Sequence, residues 1–317
     1  MSRILNEHQL VILKELVRHR GSLTSLLRRV SLEHGTPLST LKFNAKRLKD
    51  LGLIELNNKR ACLTSAGRLI TNILSYDALK QLDTSSLKSS STTLRKKLVE
   101  LLEPINGFHM ASSLSCLDII LVLLEGWLAL GVLNVKALIL SKGHAAPALY
   151  VAMCKYRLLH ECELKGIGEL GSKLQTHAEP GGSIVAVPTG SLGQGLSVAN
   201  GIAMAMRMRG EHGFVYTILG DGELDEGQVW EAAATASSHG LDNVIAIIDR
   251  NNHQLTGPTE AVKKKEPLRA KWEAFGWDVV EVDGHDHEVL LRTLISAELD
   301  RNGRPKLVIA RTEGMWS

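Results

Sequence analysis

Hydrophobic positions in the first 75 residues recur at helical spacing. Leu10, Leu13 and Leu16 with Val17 mark one face of a first helix. A second helix spans about 22–33, with Ser22 as N-cap and Gly35-Thr36-Pro37 as the break. A third places Leu38, Leu41, Ala45 and Leu48 on one face and stops at Gly52. The pattern then predicts a strand over 53–56, a turn over 57–60 and a return strand over 61–63, after which Thr64 or Ser65 caps a closing helix through Ile73. Over 81–93 serine and threonine dominate and the period fades, so 76–93 is predicted to be a flexible linker. Beyond it come helices over about 94–102 and 115–130. Short apolar runs follow at 137–140, 214–219, 244–248, 279–282 and 307–310, with helical stretches at 192–208, 227–238, 267–275 and 288–300. Strands alternating with long helices predict an α/β domain over 94–317, a parallel sheet with helices on both faces. Ligands of such sheets sit beyond the carboxyl ends of the strands. The loops to read are therefore 141–144, 220–227 and 249–257.

Charge divides the chain in the same place. Residues 1–75 hold 13 Lys/Arg against 5 Asp/Glu, and the remainder holds 24 against 29. A basic head on a mildly acidic body suggests that the head meets a polyanion or an acidic surface. Its order of elements resembles a winged helix-turn-helix domain. That resemblance implies a recognition helix exposing Lys42, Lys46, Arg47 and Lys49, a wing tip at Lys59 and Arg60, and duplex DNA as partner. A solvated charged face used for protein contacts is the alternative. Cys62, Cys116, Cys154 and Cys162 form neither a Cys-x-x-Cys pair nor a zinc-finger spacing, so a disulfide framework is not expected and a cytoplasmic location is. The N-terminus lacks a signal-peptide layout, and the apolar stretches fall short of the roughly 18 residues of a membrane span.

The chemistry concentrates after two of the expected strands. Gly220-Asp221-Gly222-Glu223 combines a tight turn with a carboxylate at a strand end. Thirty residues on, after a helix and another strand, comes Asn251. Adjacent parallel strands would set the two loops side by side. A hard cation such as Mg²⁺ takes a carboxylate, a carbonyl and phosphate oxygens. Asp221, Asn251 and the main-chain oxygen of His253 match that preference, with a diphosphate as the phosphate donor. Gly-Asp-Gly alone is compatible with a plain turn; the Asn at this spacing across a β-α-β pattern makes it specific.

At these residues the sequence resembles the transketolases. The stretch from Gly220 to Asn252 is similar to the thiamine diphosphate motif that opens with Gly-Asp-Gly and closes with Asn. Ser141-Lys142-Gly143-His144-Ala145 and the segment 189–197 (TGSLGQGLS) are similar to further transketolase segments. The similarity runs over about 94–312 and is to the N-terminal subunit of two-chain transketolases. It implies thiamine diphosphate and a divalent cation as cofactors, with Asp221, Asn251 and His253 at the metal. It implies that Gly190, Ser191 and Leu192, with Gly220, Gly222 and Glu223, lie along the cofactor. It implies His144, His177 and His109 as histidines of the reacting centre, and Glu226 with Glu231 as acids of a subunit interface. The activity implied is transfer of a two-carbon ketol unit from a ketose phosphate to an aldose phosphate. The cofactor-activating glutamate belongs to a pyrimidine-binding domain, so a second, C-terminal transketolase subunit is the implied partner.

Four departures qualify this, one of them a short segment before Ala137. Met110-Ala111-Ser112 stands where the family has Pro-Gly-Gly. The last residues, ARTEGMWS, lack the family's Lys-Gly-Lys-Gly stretch and Trp-His-Gly. The winged-helix head is an addition. Head and tail suit another reading, a DNA-binding regulator whose transketolase-like body senses a metabolite. The intact Asp221, Asn251, His144 and His177 favour the enzyme. A 2-oxo acid dehydrogenase component is a third reading, and the Ser141 and Thr189 segments argue against it.

Overall fold

The computed structural model describes residues 5–18, 22–57, 60–64, 85–105 and 109–313. The chain divides into two compact units, residues 1–82 and 83–317.

The first unit contains α1 (Glu7–Arg18), α2 (Leu23–His34), α3 (Leu38–Asp50), β1 (Ile54–Asn57) and β2 (Arg60–Leu63). Ser22 caps α2 as expected, its hydroxyl accepting from the Ser25 amide at 3.2 Å. Gly35 and Gly52 end α2 and α3 at positive φ. The strands are antiparallel, with Ile54 opposite Leu63. Ile12, Leu13, Leu16, Leu26, Leu27, Val30, Leu41, Ala45, Leu48 and Ile54 form the core. On α3 this leaves Lys42, Lys46, Arg47 and Lys49 exposed. The expected closing helix over 65–73, Lys59 and the side chain of Arg60 lie outside the described residues.

In the second unit the predicted linker is corrected. Residues 85–93 form the first half of α4 (Ser85–Leu102), and the rest of the expected linker before it lies outside the described residues. Leu87, Leu94, Leu98 and Leu102 are buried, at a helical spacing that the serines obscured. The polar residues between them are accommodated locally. Thr92 and Thr93 donate to the carbonyls of Lys88 and Ser89. Tertiary burial of one leucine stripe thus overrides weak propensity. The next helix, α5 (Met110–Leu124), starts five residues earlier than expected and runs into a π-helical turn, Glu125–Ala129. Together, Met110–Ala129 has the length and hydropathy of a membrane span. Every residue from Ser113 to Leu124 is nevertheless buried within the unit, the profile of a core helix.

The remaining elements are β3 (Val135–Leu140), α6 (Ala146–Lys155), α7 (Gln194–Met208), β4 (Phe214–Gly220), α8 (Gly227–Ser238), β5 (Val244–Arg250), a hairpin of β6 (His253–Gln254) and β7 (Gly257–Pro258), α9 (Thr259–Val262), α10 (Leu268–Ala274), β8 (Asp278–Asp283), α11 (His287–Leu299) and β9 (Lys306–Arg311). The sheet order is β3-β4-β5-β9-β8, all parallel. The near-continuous burial of β3, β4, β5 and β9 follows from cover on both faces. One face packs on α7, α8 and α10 through residues such as Ala199, Ala233 and Trp272. The other meets α5 and α11.

Candidate functional site

The site begins at two neighbouring strand ends. Parallel pairing sets Gly220 of β4 opposite Asp249 of β5. The Asp221 amide then donates to the Asp249 carbonyl at 3.2 Å, so Asp221 and Asn251 emerge side by side. Their side-chain oxygens converge on consecutive amides. Asp221 Oδ2 accepts from Asn252 N at 2.7 Å, and Asn251 Oδ1 accepts from His253 N at 2.9 Å. Asn252 supports this turn with φ +62°, a conformation that asparagine tolerates better than most residues. Arg250 Nη1 lies 3.2 Å from Asp221 Oδ2, and its other nitrogen contacts Glu260 and Glu266. Burial nonetheless raises the Asp221 pKa, against the pull of Arg250 and the Asn252 amide.

The three expected histidines come together. The ring of His109 lies 4.8 Å from that of His144 and 6.2 Å from that of His177. They arrive from the start of α5, the loop after β3 and the loop before α7. Burial lowers the His144 pKa to about 3, helped by the Lys142 ammonium and the other two rings. His109 is lowered by burial, then by His177 and Lys142. Both imidazoles are neutral near pH 7. Met110-Ala111-Ser112 forms the first turn of α5, and its Ser112 hydroxyl meets His144 Nε2 at 3.1 Å.

The segment leading into α7 passes this cluster. A Cβ at Gly190 would lie 3.7 Å from the His177 ring, and one at Gly143 would lie 2.5 Å from Thr189 Oγ1. Gly190 and Ser191 are exposed and Leu192 is half-buried. Glu223 turns inward: 2% exposed, it accepts from the amides of Gly193 at 2.8 Å and Gly220 at 3.0 Å and from the Ser141 hydroxyl. The carboxylate expected along the cofactor therefore braces three loops in this structure. Glu226 and Glu231 are exposed on α8 or at its start, and Glu226 makes no side-chain cap bond there.

Beneath these loops lies a buried network that the motifs did not single out. Lys142 Nζ donates to Asp249 Oδ2 and, at 3.1 Å, to the Ser112 carbonyl. Ser115 Oγ donates to Asp249 Oδ2 at 2.6 Å, and Thr312 Oγ1 donates to Asp249 Oδ1. Burial opposes the Lys142 charge, but Asp249 more than offsets it and its pKa is raised. A second cluster joins α4, α5 and α11. Asp118 accepts from Arg95 at 2.5 Å, His285 at 2.7 Å and His287 at 2.9 Å. Burial works against its charge, yet these hydrogen bonds hold the carboxyl well below the usual range. One signal was available in the sequence: an ionisable residue inside or capping an apolar run, as Asp118 and Asp249 are, needs a buried partner.

Glycine-bearing loops and oxygen donors at adjacent strand ends of a parallel sheet define a diphosphate-cofactor domain of the α/β class. The profile of the transketolase thiamine diphosphate binding domain matches residues 89–314. The chain is 37% identical over 237 residues to the apulose-4-phosphate transketolase subunit of Phocaeicola vulgatus, covering 73% of this chain and 83% of that one. It is 34% identical over 232 residues to a 6-deoxy-6-sulfo-D-fructose transketolase subunit from a Clostridium species, covering 71% and 84%. The transketolase structure of Campylobacter jejuni superposes with a TM-score of 0.53 at 29% identity, over 64% of this chain and 37% of that chain. The chain thus spans just over a third of the length of that solved transketolase. It belongs to the transketolase family of transferases, through the domain that binds thiamine diphosphate.

Proposed function

We propose that this chain is the thiamine-diphosphate-binding subunit of a two-chain transketolase. In that assembly it moves a two-carbon ketol unit from a ketose phosphate to an aldose phosphate. The observation that carries the reading is the convergence of Asp221 and Asn251 on consecutive amides beside the three-histidine cluster. A carboxylate, an amide oxygen and the His253 main-chain oxygen are hard donors that fit Mg²⁺. Among the described residues no group of three or more His, Cys, Asp or Glu side chains could hold a metal. A cation here therefore needs oxygens from elsewhere, which a diphosphate supplies. The glycines at 190 and 220 leave room for that group, whereas a Cβ at Gly222 would meet Gln254 Cβ at 2.7 Å; Ser191 and Leu192 lie along it.

When bound, thiamine diphosphate supplies the electron sink that lets the ketose C2–C3 bond break and re-form. The protein manages position and protons. His144 and His109 are neutral near pH 7, so each imidazole carries one donor and one acceptor nitrogen for proton exchange with sugar oxygens, and in His144 the Ser112 hydroxyl holds Nε2. His177 completes the cluster. Glu226 and Glu231 face outward where a partner chain carrying the pyrimidine-binding domain would pack. The test is to co-purify the chain with such a partner and assay ketol transfer across phosphoketose donors with Mg²⁺. Turnover supports the reading, and a pair that binds cofactor yet turns over no donor refutes it.

For the first unit a separate observation favours a DNA role. The exposed face of α3 carries Lys42, Lys46, Arg47 and Lys49, with the Arg47 guanidinium 5.9 Å from the centre of the Phe43 ring. A basic helix face of this kind suits a phosphate backbone. A gel shift of duplex DNA by the full chain tests it, and absence of a shift at low salt refutes it.

A further inference from the structure

The buried network under the strand ends has a direction. Asp249 is wholly buried and paired with Lys142, and its two oxygens accept from Lys142, Ser115 and Thr312. The Ser115 hydroxyl has one proton to give. It also lies 3.2 Å from the Ser112 carbonyl, but the charge-assisted contact to Asp249 Oδ2 at 2.6 Å is the shorter and stronger. Ser115 Oγ is then left with lone pairs for any further partner. That partner is Asn251 Nδ2, at 3.1 Å. A carboxamide that must present its NH2 to Ser115 has its oxygen turned to the opposite end, where Oδ1 meets the His253 amide at 2.9 Å. The direction of the Ser115 hydrogen bond to Asp249 thereby dictates which end of the Asn251 amide faces the turn shared with Asp221. The same ion pair reaches the histidines. Lys142 holds the Ser112 carbonyl at 3.1 Å, and Ser112 Oγ meets His144 Nε2 at 3.1 Å.

We propose that Ser115, backed by the Asp249–Lys142 pair, is a positioning residue that keeps the oxygen of Asn251 aimed at the cation of the cofactor. The inference rests on the reading of Asp221 and Asn251 as a cation site. Ser115 is fully buried in α5, 136 residues from Asn251 along the chain. A partner that fixes the orientation of a metal-binding side chain typically contributes 10–100-fold in metal affinity.

The experiment titrates Mg²⁺ at fixed thiamine diphosphate, read by calorimetry on the full chain with its partner subunit. Ser115→Ala removes the acceptor for Asn251 Nδ2. The Mg²⁺ concentration for half-saturation is expected to rise about tenfold, while excess Mg²⁺ restores full cofactor occupancy. Ser115→Cys keeps a weak sulfur acceptor and is expected to fall between the two, and it serves in place of the alanine variant if that variant does not fold. A folded variant whose half-saturation stays within about twofold of the parent overturns the proposal, as does a loss of cofactor that excess Mg²⁺ cannot restore, which marks a packing defect. A parent protein that binds no cofactor at any Mg²⁺ concentration instead overturns the cation site itself, and the inference falls with it.

Discussion

Asp221 is nearly fully buried at 1% exposure, and burial raises its pKa. It sits against one guanidinium that Glu260 and Glu266 also share. Asp221→Ala leaves Arg250 with Glu260, Glu266 and Thr259 and removes the carboxylate from the proposed cation site. Mg²⁺-dependent binding of thiamine diphosphate is expected to weaken by more than the roughly 10–100-fold typical of outer partners, read by calorimetry. His144 makes a prediction about acid. Its pKa falls from 6.5 in the free side chain to about 3 in the fold. Between those values the unfolded chain binds the proton and the folded chain does not, so stability declines as pH drops through that window. His144→Gln should flatten the decline, measured as the slope of the denaturation midpoint against pH. His109 shifts in the same direction, so the slope should shrink without vanishing.

At the scale of elements, close packing of loops and helix starts sets the site. The first turn of α7 runs against the loop after β3. A Cβ at Gly195 would lie 2.3 Å from Ser141 Oγ and 3.0 Å from the Ser141 Cα. Gly195→Ala is expected to cost about 1–3 kcal/mol and to disturb the Ser141–Glu223 contact, lowering the melting temperature and cofactor affinity together. Helix α4 shows the limits of pattern. In α4, Leu87, Leu94, Leu98 and Leu102 carry a helical stripe, but the serines and threonines around them suggest a linker. The strands and the later helices were legible, because apolar runs of β-branched residues between amphipathic stretches leave little choice. The histidine cluster, Asp221 and Asn251 were legible from their motifs. Lys142 and Asp249 stood inside or beside those motifs, yet their pairing was not legible, because 107 residues separate them and nothing local couples them.

At the scale of the whole molecule the charge asymmetry becomes a measurable property. If the four exposed cations of α3 each neutralise a phosphate, DNA affinity should fall on the order of 100-fold between 50 and 200 mM salt. A binding isotherm of the full chain at several salt concentrations checks this, and Lys46→Glu should both weaken binding and flatten the slope. A salt-independent interaction would point to protein contacts instead.

The sequence by itself determined the two-part plan, the parallel α/β class and the placing of Asp221 and Asn251 after neighbouring strands, since periodicity and short-range spacing are local properties. Tertiary structure alone decided the strand order. It inserts β9 between β5 and β8, which carries Thr312 to Asp249, and it lays α5 beneath the sheet end so that Ser115 reaches both Asp249 and Asn251. The reason is that a buried charge must be satisfied by whichever polar groups packing brings within reach, and long-range packing leaves no mark on the spacing of residues along the chain.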